Sequence, residues 1–91
     1  MAVVKDETMS INSSEDVVRV RRVAREWATA QGLSLVDQTK IVTAASELAR
    51  NTLDHGGGGT VKIEAINSEA RRGLRLTLKI MGLVFRMSNW R

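Results

Sequence analysis

Cysteine is absent from the 91-residue chain, which excludes disulfides and thiolate-held metal sites. Aromatic side chains are scarce, with two tryptophans, one phenylalanine and no tyrosine. Proteins that stack nucleic-acid bases need more such platforms, so a net charge of +4 does not by itself mark a nucleic-acid binder. No apolar run approaches the length that spans a membrane. The opening Met1-Ala2-Val3-Val4-Lys5-Asp6-Glu7 brings in acids before any apolar core forms, unlike a secretory signal. The expectation is one small cytoplasmic domain with no nucleic-acid or membrane partner and little stability to spare. A further absence lies in the tail, where no Asp or Glu follows Glu69.

What is present reads as alternating helix and strand signals. Residues 7–12 alternate loosely and are expected to form a short strand. Ser13-Ser14-Glu15-Asp16 starts a helix, the serine as cap and the acids at the positive end of the dipole. Val17, Val20, Ala24, Trp27 and Ala28 follow at helical spacing, with Arg19, Arg21, Arg22 and Arg25 mostly between them. Gly32 is a natural left-handed stop, giving a helix over about 15–31. Ser34 and Asp37 approximate a capping box for a second helix over 35–54, whose expected apolar face is Val36, Ile41, Ala44, Ala45, Leu48 and Leu53. The glycine run 56–59 ends it. Period two then takes over at 60–66, where Val61, Ile63 and Ala65 oppose Lys62 and Glu64. A further strand is expected over 74–85. The pattern predicts an α+β fold, a partial two-layer sandwich with two helices on one face of a mixed or antiparallel sheet.

The second helix carries the chemistry. Glu47 and Asn51 are four residues apart and share a face, with Asp54 and His55 near the same edge. A carboxylate can polarise a hydroxyl, and an amide oxygen is a hard ligand suited to magnesium on phosphates. Spacing alone leaves this reading open beside a plain solvated ridge on an amphipathic helix. The glycines are open to two readings as well, a phosphate cradle or a flexible turn, and no Walker ending follows them. His55 is the sole histidine, so a metal cage around it is not expected.

The run from Thr43 to Gly59, TAASELARNTLDHGGGG, closely resembles the N box of the anti-sigma-factor serine kinases. These share a superfamily and its Bergerat-type ATPase fold with histidine kinases, gyrase and Hsp90-type ATPases. The residues Leu35 to Ile41, LVDQTKI, and Arg72 to Leu76, RGLRL, are similar to the RsbT-type switch kinases among them. The resemblance covers roughly residues 7–77 and is most specific over Ser46 to Asn51. It implies ATP and magnesium as cofactors, Glu47 as the catalytic carboxylate, and Asn51 as the residue holding magnesium against the phosphates. It gives Asp54 and His55 a place at the nucleotide pocket wall. It also implies a STAS-domain antagonist protein as substrate, phosphorylated on serine or threonine, and a PP2C-type phosphatase as a further partner.

The chain departs from that pattern after Thr77. The family has an acidic residue and Gly-x-Gly next, the aspartate reading the adenine amino group, followed by a glycine-rich lid. Neither is found in residues 78–91. Codons compatible with Leu78 to Arg91, read one base out of frame, yield Phe-Glu-Asp-Asn-Gly-Pro-Gly, a motif of the missing kind. The shifted glycine over Met81 and Gly82 is forced by their codons, while the rest draws on free third bases. The expectation is a one-base slip near Leu78 that leaves the single domain incomplete, and the gene sequence beyond Thr77 decides. Its alternative is a divergent short protein with a basic, apolar tail. An incomplete site is expected to bind ATP weakly or not at all, since a lost buried hydrogen-bonding anchor costs about 1–3 kcal/mol. Unpaired apolar residues in the tail are expected to promote self-association. The rival reading is a non-enzymatic interaction module that docks an acidic partner on the basic first helix.

Overall fold

The computed structural model describes residues 2–55, 57–80 and 82–91. Gly56, the first of the glycine run, and Met81, within the strand expected over 74–85, lie outside them.

The first helix starts where its capping residues dictate. Asp16 Oδ2 accepts from the Asn12 and Ser13 amides at 2.8 and 3.1 Å, and Ser13 Oγ accepts from Asp16 N. These bonds, the Asn12 amide foremost, hold the Asp16 carboxyl below its usual range. Helix α1 runs Ser14–Ala30 and buries Val17, Val20, Val23, Ala24, Trp27 and Ala28. Gly32 then takes φ +76, a left-handed turn that suits glycine. Ser34 Oγ accepts from Asp37 N at 3.1 Å and opens helix α2, Leu35–His55.

Helix α2 buries Ile41, Val42, Ala45, Ala49 and Thr52. The apolar face expected from the sequence is thus partly corrected. Val36 is 64% exposed, because it sits one turn before Lys40 on the stripe that also carries Glu47. Thr52, which reads as polar, is fully buried and satisfied by donating to Leu48 O at 2.8 Å.

Four strands follow the order β1-β2-β3-β4, all antiparallel: β1 Ala2–Ile11, β2 Gly59–Ser68, β3 Arg71–Ile80 and β4 Leu83–Trp90. The register lines up Met9, Val61, Leu78 and Phe85 across the sheet, and likewise Glu7, Ile63, Leu76 and Met87. Directly opposed residues share a face, and Met9, Val61, Ile63, Leu76 and Leu78 of this face supply sheet side chains to the core, while Phe85 at its edge stays exposed. The expected strand over 7–12 begins earlier, at Ala2, with an irregularity between Val3 and Lys5. The strand expected over 74–85 is two strands. Alternation carries through Ile80, the chain reverses at Gly82 with φ +80, and Leu83, Phe85 and Met87 return to the same face.

The other face of the sheet is not simply solvated. Glu64 points there, yet its side chain is 7% exposed. Arg75 donates to it twice, through Nε at 2.9 Å and Nη2 at 3.0 Å, which depresses the Glu64 carboxyl below its usual range. The end of α1 is pinned to the sheet by Gln31, whose buried Nε2 donates to Gly73 O at 2.9 Å and Ile66 O at 3.2 Å. Among the described residues no helix is long and apolar enough to cross a membrane.

Candidate functional site

The candidate site is built on α2, which packs beside α1 and against the sheet. Thr29 near the end of α1 donates to Gln38 near the start of α2 at 3.3 Å. Arg21 and Arg25 lie against the segment from Val42 to Glu47. Helix α2 therefore runs back along α1, and the two leave a cleft between them of about 330 Å³. Its walls are Arg21 and Arg25 from α1 and Val42, Thr43, Ser46 and Glu47 from α2.

Glu47, Asn51, Asp54 and His55 are all exposed. A rise of about 1.5 Å per residue puts Asn51 about 6 Å along the axis from Glu47, with Asp54 and His55 a further turn on. Of these four residues only Glu47 lines the cleft. The other three continue its ridge toward the glycine turn rather than converge on it. Asp54 and His55 thus occupy the end of the helix, beside the turn that leads into β2.

That turn uses its glycines structurally. Gly57 and Gly58 have φ of +66 and +113, and Gly58 N donates to Thr52 O at 3.2 Å. A Cβ on Gly59 would run into Lys79 O and approach Thr52 Cγ2 to 2.8 Å, so glycine lets β2 pass close to α2 and β3. The Gly58 amide is engaged by the helix carbonyl, which favours the turn reading of this residue over the phosphate cradle.

The arginines of α1 separate into two kinds. Arg19 pairs with Glu7 and Arg22 with Glu26, each at 3.1 Å. Arg21 and Arg25 turn instead to the cleft, and no ion pair engages them among the described residues. The sequence reading grouped all four as one basic face. It also passed over Thr43 and Ser46, which line the cleft with these arginines. The signal was present in the spacing: Arg21 and Arg25 are one turn apart on the flank of the buried stripe, and only a short connection at residues 31–34 joins the helices.

Among the described residues no cluster of three or more His, Cys, Asp or Glu stands ready to hold a metal ion. The donors of the ridge, one amide oxygen and separated carboxylates, instead fit a magnesium ion held chiefly by phosphates and water. Asn51 carries that amide oxygen, exposed on α2 one turn beyond Glu47.

No family model matches the chain. Over 67 residues it is 37% identical to the serine/threonine-protein kinase RsbT of Bacillus subtilis (strain 168), a stretch that covers 74% of this chain and 50% of RsbT. The chain spans half the length of that curated relative. The likeness read from the N box therefore extends over most of the sequence, and the chain is an RsbT-like relative of a serine/threonine protein kinase.

Proposed function

We propose that this chain carries the catalytic and phosphate-facing side of an anti-sigma-factor-type serine/threonine kinase site. The supporting observation is the exposed Glu47–Asn51 ridge on α2, set beside a cleft, in a chain with 37% identity to RsbT. Glu47 is the base that orients and deprotonates an acceptor hydroxyl. Asn51 contacts magnesium bound to the ATP phosphates, and that ion supplies charge neutralisation when bound. Asp54 and His55 border the nucleotide at the end of the helix. The reading places the protein in the cytoplasm, in a partner-switching pathway, with a STAS-domain antagonist as substrate and a PP2C-type phosphatase as second partner.

Strands β3 and β4, where the resemblance puts the adenine side of the site, carry no carboxylate. These strands offer arginine, lysine and apolar side chains with the neutral Thr77, Ser88 and Asn89 in place of a carboxylate. An adenine amino group left without its acceptor loses about 1–3 kcal/mol, so nucleotide affinity is low and turnover is slow or absent. Calorimetry with magnesium-ATP tests this. The expected result is a dissociation constant in the high micromolar range or weaker, roughly one to two decades above a low-micromolar site for such a loss. Low-micromolar affinity contradicts the impairment.

The rival reading, a non-enzymatic docking module on α1, draws on the orientation of Arg21 and Arg25 into the cleft. The two readings separate at Asn51. Its substitution removes any nucleotide response in a kinase site and leaves pure docking unchanged.

A further inference from the structure

We propose that the α1–α2 cleft is a docking site for an extended acidic segment of a protein substrate, seated beside the acceptor hydroxyl. This rests on the reading of Glu47 as the catalytic carboxylate. Two arginines, a threonine and a serine line the cleft together with Glu47, and their side chains carry the donors that recognise carboxylates.

The spacing of those groups specifies the ligand. Arg21 and Arg25 are one helical turn apart, a rise of about 6 Å along α1. Alternate residues of an extended chain are separated by about 6.5–7 Å and point the same way. Two carboxylates at positions i and i+2 of an extended segment therefore meet the two arginines together, whereas adjacent carboxylates point to opposite sides. Thr43 and Ser46 line the facing wall, where their hydroxyls donate to the carboxylate oxygens left over.

Direction follows from the helix packing. Because α2 runs back along α1, the Arg21 end of the cleft is the end nearer Ser46 and Glu47. The acceptor serine or threonine then lies next to the carboxylate bound by Arg21. Arg19 and Arg22 take no part, since each is committed to an acid elsewhere, Glu7 and Glu26 respectively. The charge on Glu47 itself opposes the acidic segment, which keeps carboxylates at the arginine side and leaves the neutral hydroxyl as the group that reaches Glu47.

The test is fluorescence anisotropy of labelled peptides with the full 91-residue chain, without nucleotide. One peptide carries aspartates at two alternate positions beside a serine. A second carries them adjacent, and a third has asparagine in their place. The alternate-aspartate peptide is expected to bind about tenfold more tightly than either control. The double variant Arg21→Gln/Arg25→Gln is expected to lose that preference, while Arg19→Gln/Arg22→Gln retains it. Circular dichroism checks that both variants stay folded. Equal binding of the three peptides, no binding at all, or equal losses from the two double variants each overturn the proposal. Docking is read here without ATP, so its failure is distinguishable from failure of the kinase reading, which magnesium-ATP binding and Asn51→Ala report.

Discussion

Replacing Arg75 by methionine removes the guanidinium from Glu64 and keeps most of the side chain's bulk. The Glu64 side chain is 7% exposed and receives two bonds from Arg75, at 2.9 and 3.0 Å. Lys62 Nζ, at 3.9 Å and 45% exposed, remains beside it, with Arg86 as a weaker positive neighbour. Hydrogen bonds to charged groups are worth about 1.5–3 kcal/mol, and stranding a fully buried charge costs about 3–5 kcal/mol. Lys62 offsets part of this, so the expected destabilisation is about 2–3 kcal/mol at neutral pH. For a domain of this size that lowers the midpoint of thermal unfolding by roughly 10–20 °C. The pH dependence carries the sign. Arg75 depresses the folded-state Glu64 carboxyl below the ordinary glutamate range. The pair's contribution is therefore present in full above the unfolded value and is lost as pH falls through the folded one. Urea denaturation of both proteins at pH 7 and pH 3 should show a gap that narrows at low pH. A cost below about 0.5 kcal/mol at pH 7, the level of a surface substitution, or an equal gap at both pH values, refutes the account of this face of the sheet.

Two further expectations concern the turn and the edge. Gly59→Ala should destabilise by about 1–3 kcal/mol in urea denaturation, because its Cβ meets a backbone carbonyl of β3. Gly57→Ala should cost only about 1 kcal/mol, since it has open space and only a positive φ to strain; equal costs contradict this use of the glycines. Strand β4 is an edge carrying Leu83, Val84 and Phe85 at 61, 54 and 48% exposure. Sedimentation should show association rising with protein concentration, and Phe85→Lys should shift the protein toward monomer. A wild-type chain that stays monomeric at every concentration refutes it.

Much of the architecture was legible because its signals are local. The capping serines at 13 and 34, the glycine at 32 and the period-two run from Val61 each act over a few residues. The β3–β4 reversal was not legible, because Leu83 to Phe85 continues an apolar tail and only the pairing with β3 fixes where the chain turns. Val36 was misplaced and Thr52 unnoticed for a related reason: the buried arc of α2 is set by two neighbours at once, α1 and the sheet. In the candidate site, spacing and wording single out Glu47 and Asn51 on one exposed ridge of α2. The separation of Arg21 and Arg25 from Arg19 and Arg22 depended on where α2 packs, which no spacing along α1 reveals. The buried Gln31 clamp was invisible too, since its acceptors lie on β2 and β3.

The Glu47–Asn51 ridge as the phosphate-facing side of a nucleotide site is tested most directly by nuclear magnetic resonance. Backbone amide shifts are followed while magnesium-ATP is titrated to millimolar concentration, a range in which even weak sites fill. The account predicts shifts concentrated at residues 47–55 of α2 and at the glycine turn, dependent on magnesium and removed by Asn51→Ala. Shifts absent from α2, or present and unchanged in Asn51→Ala, contradict it.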